Sequence, residues 1–252
     1  MNDLTRRIVV TLAEIACVFG TLVGMGVLGE RVEESSGGAL AADATLLAPL
    51  GPAFSIWSVI YLGLAAYTVV QWLPSRTSDP GFRATGGLAA ISMVLNAAWL
   101  LVTQQGWLWA SVVVILALVI TLGLLVQRLA PANNTLDHLV VDGTFGLYLG
   151  WVAVATCANI TATLVESGVD LGRTANQIVA VLVIAVAVGV IAVVLRQTGR
   201  RLAVALASAW GLAWIAAGRL TDQPNSTMVG VAAAIAAAVV LLLWTRTPEV
   251  SR

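Results

Sequence analysis

LAAISMVLNAAWLLVTQQGWLWASVVVILALVITLGLLVQ, Leu88 to Gln127, holds two apolar runs of membrane-spanning length joined only by Gln104-Gln105-Gly106. A bilayer core of about 30 Å is crossed by roughly 20 residues of helix. So short a join leaves the two runs no arrangement except an antiparallel helical hairpin. Asn96 lies inside the first run. An amide in hydrocarbon is costly unless the protein satisfies it, so this side chain is expected to face inward.

Six further apolar stretches surround this hairpin. With it they give eight predicted spans, near 8–28, 52–73, 85–103, 107–127, 139–165, 177–195, 202–218 and 228–245. Turn-forming residues separate them, as in Pro74 to Gly81, Pro131 to Asn134 and Asp222 to Asn225. Composition agrees: hydrophobic residues are 59% of the chain, charged residues only 10%, and mean hydropathy is +0.94. The fold class is therefore all-α, a polytopic integral membrane bundle of about eight transmembrane helices.

The arginines set an orientation. Eight spans put Arg6, Arg7, Arg76, Arg83, Arg128, Arg196, Arg200, Arg201, Arg246 and Arg252 on one side, and only Arg31, Arg173 and Arg219 on the other. Ten against three is a positive-inside bias that predicts cytoplasmic termini. Every basic residue is arginine, a compositional mark of a GC-rich bacterial genome, so the expected location is a bacterial plasma membrane. The first run exceeds the usual apolar core of a signal peptide and contains Glu14, so it reads as an uncleaved first helix. The linker from Gly29 to Leu50 is the longest, and its Glu-, Ser- and Gly-rich middle is expected to be mobile.

Several chemistries find no support. Zero formal net charge and scattered basic residues argue against nucleic acid. Cys17, Cys157 and the lone His138 make no metal-ligand spacing, so no metal or cofactor is expected. Ser55, Ser58 and Ser92 lack a histidine base at their depth, so the chain is not expected to be an enzyme. Asn133-Asn134-Thr135 matches a glycosylation sequon on the side predicted to be cytoplasmic.

What remains is a set of aromatic and amide residues inside the spans. Trp57 and Tyr61 are four apart, Asn96 and Trp99 three apart, and Tyr148, Trp151, Ala155 and Asn159 follow one helical face. Such faces line a small-molecule pocket, or they seal a packed seam. Trp72, Trp107, Trp109 and Trp244 lie near span ends, as interfacial tryptophans do. Trp210 and Trp214 either cover a pocket from outside or pack toward lipid.

In order and spacing these residues resemble the second, third and fifth helices of the tryptophan-rich sensory protein (TspO/MBR) family, which includes the mitochondrial translocator protein. The family has Trp then Tyr four later, Asn then Trp three later, and Tyr-x-x-Trp followed by Ala and Asn. Departures are Phe54 one residue nearer Trp57, without the family's internal proline, and Leu147 where a proline usually precedes the tyrosine. The resemblance implies a TspO-like five-helix core over residues 1–168 and a three-helix membrane extension over 169–252. It further implies a pocket for a planar apolar ligand such as a porphyrin or sterol, for sensing or transport. The ligand-binding residues it carries over are Trp57, Tyr61, Asn96, Trp99, Tyr148, Trp151 and Asn159. The implied partners are that ligand, the lipid bilayer and, as an open alternative, a second copy in a homodimer.

Two acids stand apart. Glu14 is mid-helix with no basic residue at its depth; it forms a structural hydrogen bond, or it relays protons in a proton-coupled secondary transporter, the alternative function. Asp142 is expected at the interface, in reach of loop arginines such as Arg128.

Overall fold

The computed structural model describes residues 1–130, 134–199 and 201–246; Pro131, Ala132, Asn133, Arg200 and Arg252 of the sequence reading lie outside them. Its long helices are α1 (Asp3–Gly24), α2 (Ile56–Val70), α3 (Pro80–Gln104), α4 (Leu108–Arg128), α5 (Thr144–Glu166), α6 (Arg173–Thr198), α7 (Leu202–Thr221) and α8 (Thr227–Arg246). Eight helical segments are long and apolar enough to cross a membrane, one for each predicted span. The protein is an integral membrane helical bundle.

Local chemistry fixes the helix ends. The Asn2 side chain accepts from the Thr5 N–H at 2.7 Å, and Asp79 accepts from Gly81 and Phe82, with Pro80 in the first turn. Both satisfy N–H groups that no helical carbonyl can reach. Gly199, at φ +76°, stops α6 in the left-handed conformation. Gly106, at φ +70°, turns the chain between α3 and α4, so the hairpin forms as its short join requires.

Packing follows small residues. On α1, Val10, Ala13, Cys17 and Gly20 recur at helical spacing and are buried, chiefly against α3. A Cβ on Gly20 would lie 2.8 Å from the Ala97 Cα, so the helices touch backbone to backbone. Gly150 does the same for α5 and α7: a Cβ there would meet the Ala207 Cβ at 2.9 Å. Close approach of this kind is how helices gain van der Waals contact in lipid. α7 lies on α5 and α8, whereas α6 packs mainly along α8.

The linker is a strap. The Gln104 side chain bonds the backbone of Glu30 in both directions, and the Ser36 hydroxyl donates to Thr103 O at 2.7 Å. Farther on, the fully buried Arg219 donates to Thr45 O at 2.6 Å, Ala42 O at 2.9 Å and Gln223 O at 3.2 Å. The stretch expected to be mobile is thus tied at both ends across the bundle, from α3 to α7. Arg219, one of the three arginines counted on the less basic side, satisfies main-chain carbonyls at the end of α7.

At the opposite end, where α1 begins and α8 ends, ion pairs knit the loops. Arg76 joins Asp79 at 3.1 Å and Asp137 at 2.9 Å, and Arg83 joins Asp3 at 2.5 Å. Asp142 pairs with Arg201, not with Arg128. A wide turn over His138–Gly143 leads into α5, and Arg201 reaches Asp142 while donating to Leu129 O at 2.8 Å. Arg201 therefore occupies the position the sequence suggested for Arg128.

Gly150→Leu is expected to cost about 1–3 kcal/mol by overpacking the α5–α7 contact, read as a fall of several degrees in the thermal midpoint in detergent. Gly123→Ala, where a Cβ meets nothing within 4 Å, should leave the midpoint level or raise it. Equal effects of the two would contradict the packing described.

Candidate functional site

α2 is entered through a tight turn, Gly51–Ser55, with Pro52 in its first positions and the Ser55 hydroxyl donating back to Pro52 O at 2.8 Å. This turn places Phe54 one turn ahead of Trp57, and Trp57 one turn ahead of Tyr61. The Trp57 and Tyr61 rings stack at 5.2 Å with planes 12° apart. α5 brings two further rings edge-on to Trp57: Tyr148 at 5.8 Å and Trp151 at 6.2 Å. Phe54 closes on Trp151 at 5.7 Å. Edge-to-face pairs match the positive ring edge with the negative face, each worth about 0.5–1.5 kcal/mol beyond burial.

Polar contacts fix this aromatic box. The Asn96 amide of α3 donates to the Tyr61 hydroxyl at 3.1 Å and to Cys17 Sγ on α1 at 3.5 Å. The Tyr148 hydroxyl donates to Ser92 O on α3 at 3.2 Å. Glu14, one turn before Cys17, is buried on the same face of α1. Three buried atoms around the box have no hydrogen-bond partner among the described residues: Glu14 Oε2, Asn96 Oδ1 and Trp151 Nε1.

The other two carried-over residues sit elsewhere. Trp99 Nε1 donates to Asn159 Oδ1 at 2.8 Å, and the Asn159 amide donates to Ser111 Oγ at 2.9 Å. The Ser111 hydroxyl in turn donates to Leu108 O at 2.7 Å. This relay joins α3, α5 and α4. Residues three apart on a helix diverge by about 60°, enough to send Asn96 toward α1 and α2 while Trp99 turns toward α4 and α5. The structure therefore gathers Trp57, Tyr61, Asn96, Tyr148 and Trp151 into one cluster and places Trp99 and Asn159 in a helix seam.

A cavity of about 440 Å³ opens beside the box toward the linker. Of the seven carried-over residues, Trp57 and Tyr61 line it. Phe54 of the entry turn, Ser58 from α2, Thr21 from α1 and Leu100 from α3 add to the inner wall, and Arg31 and Glu33 of the linker stand at its mouth. Tyr148, Trp151 and Asn96 lie behind that wall, each with 1% exposure or less. Sequence reasoning passed over Phe54 as a lining residue, although its spacing to Trp57 signals a shared face. Nothing in the local sequence marks Arg31 or Glu33, because only the path of the strap brings them to the mouth.

The family described as TSPO-like protein matches the chain over residues 8–246, a stretch that runs from within α1 to the end of α8. No curated protein and no solved structure matches it significantly.

The Trp99–Asn159 bond is testable by a double-mutant cycle in detergent. Trp99→Phe and Asn159→Leu should each lower stability, with a coupling of about 0.6–2 kcal/mol between them. Strict additivity would mean that the bond holds nothing.

Proposed function

Since the chain belongs to the TSPO-like family, we propose that it binds a small, planar, apolar ligand of porphyrin or sterol type in the cavity under the linker, for sensing or transport. The observation carrying this reading is the stacked Trp57–Tyr61 pair in the cavity wall. Stacked rings offer a flat face to a macrocycle, and a volume of about 440 Å³ falls within the range typical of ligand sites. Tyr148 and Trp151 buttress the pair edge-on, so the wall keeps its shape without a guest. Asn96 orients the Tyr61 hydroxyl. In this reading Trp99 and Asn159 serve by holding α3, α4 and α5 in register. The ligand core is residues 1–168, the arginine distribution orients both termini to the cytoplasm, and the membrane is a bacterial plasma membrane.

Protoporphyrin titrated into detergent-solubilised protein should quench tryptophan fluorescence saturably. Trp57→Ala should weaken binding about tenfold, which is about 1.4 kcal/mol, whereas Trp99→Phe should change it less than about twofold. Equal losses in both variants, or none in Trp57→Ala, would remove the cavity from consideration as the site.

One observation favours a second reading, proton-coupled transport. Glu14 is a buried carboxyl at membrane depth whose Oε2 has no partner among the described residues, one turn from the Cys17–Asn96–Tyr61 chain. If Glu14 couples protons, porphyrin uptake into proteoliposomes accelerates with an imposed pH gradient in wild type and loses that acceleration in Glu14→Gln. Uptake indifferent to the gradient would leave binding as the function.

A further inference from the structure

α6 leans away from the helix before it. It follows α8, meets α5 and α4 over short stretches only, and is tied near the terminal end by a 2.9 Å bond between the Gln127 and Gln197 side chains. Toward the linker end the helices part, leaving a cleft of about 1080 Å³ between α5 and α6. Its walls are aliphatic, among them Leu116 of α4, Ile160 and Leu164 of α5, and Leu182 and Val186 of α6. Leu182 and Val186 are 58% and 67% exposed, so the cleft opens sideways on the surface that meets the bilayer. Along α5 it runs from Val165 to Ala153, about 18 Å at 1.5 Å per residue. One hydrocarbon leaflet is about 15 Å deep. No aromatic residue lines the cleft, which sets it apart from the box under the linker.

The linker end of the cleft is polar. Thr45 of the strap and Gln223 and Asn225 of the α7–α8 turn form its roof. Arg219 braces that roof from behind through Thr45 O and Gln223 O. Thr45 lines the cleft and is 4% exposed, with its Oγ1 buried away from the open space. Arg173, the first residue of α6, stands at the same mouth and makes no ion pair among the described residues. Asp170 close by is occupied otherwise, accepting from the Gly172 N–H at 2.9 Å and the Asn176 amide at 2.7 Å.

We infer that this cleft is a binding site for one glycerophospholipid, with its phosphate at Arg173 and an acyl chain lying between α5 and α6. Each part of the lipid answers a feature of the cleft. A guanidinium at an apolar mouth pairs with phosphate through charge-assisted hydrogen bonds. Aliphatic walls as deep as a leaflet suit a flexible chain, whereas a rigid macrocycle would find no ring to stack on. A helix from a second copy would cover the same walls, which makes dimerisation the competing outcome of the test.

Native mass spectrometry of delipidated, detergent-solubilised protein titrated with dioleoylphosphatidylglycerol tests the inference. Oleate and dioleoylglycerol serve as the comparison ligands. One phospholipid per chain should bind at least about tenfold tighter than either comparison ligand. Arg173→Gln, at an exposed position, should weaken the phospholipid about tenfold, the worth of one charge-assisted hydrogen bond, and bring it level with dioleoylglycerol. Ile160→Trp, which fills the cleft, should abolish the adduct with an unchanged helical circular dichroism spectrum. If that variant does not fold, the Arg173→Gln comparison decides alone. Absence of a phospholipid adduct, equal binding of dioleoylglycerol, indifference to Arg173→Gln, or dimerisation in place of the adduct would each overturn it.

Discussion

A polar side chain at membrane depth has no water to turn to, and this constraint organises the bundle. The Trp99–Asn159–Ser111–Leu108 relay is its clearest product, because each donor in it finds an acceptor on another helix or in its own first turn. Threonines solve the same problem locally: Thr121 and Thr156 donate to the carbonyls of Ala117 and Val152, one turn back, both at 2.7 Å. Ser92 does so three residues back, and its own carbonyl receives the Tyr148 hydroxyl. Against this background the unmatched atoms carry information. Glu14 Oε2, Asn96 Oδ1 and Trp151 Nε1, around the aromatic box, find no hydrogen-bond partner among the described residues.

Where the helices touch is decided by small residues, and where they part is decided by their absence. Gly20 against Ala97 and Gly150 against Ala207 bring backbones together with no room for a cavity. α6 has no such partner on α5, so its aliphatic face stays open and a cleft forms. The cavity under the linker has a different origin. There a strap closes the bundle instead of a helix, held by Gln104 at one end and Arg219 at the other. The two spaces consequently differ in lining. One has stacked aromatic rings and the other flexible aliphatic chains with a cationic mouth, so they select guests of different shape.

The membrane helices were legible because hydrocarbon thickness sets their length and three-residue joins set their antiparallel order. Asn96 and Asn159 were legible as inward-facing because an amide facing lipid goes unsatisfied. The division between them was not. Asn96 and Trp99 sit close enough on α3 to pass for one face, yet the small angle between them selects different neighbours. Phe54 was within reach of the same spacing argument that found Trp57 and Tyr61. Arg219, the Arg201–Asp142 pair and the mouth residues Arg31 and Glu33 were not, since each depends on a contact between segments far apart in the chain.

The sequence by itself determined the fold class, the eight helical spans and the family motifs, because transfer of residues into a bilayer is a property of each segment alone. Only the tertiary structure decided which motif residues share a cavity, what holds the linker down, and that α6 stands off from α5. Those outcomes rest on distances between helix faces. They are set by the volumes of residues such as Gly20, Ala97, Gly150 and Ala207 meeting across helices, and no segment carries that information until its neighbour is in place.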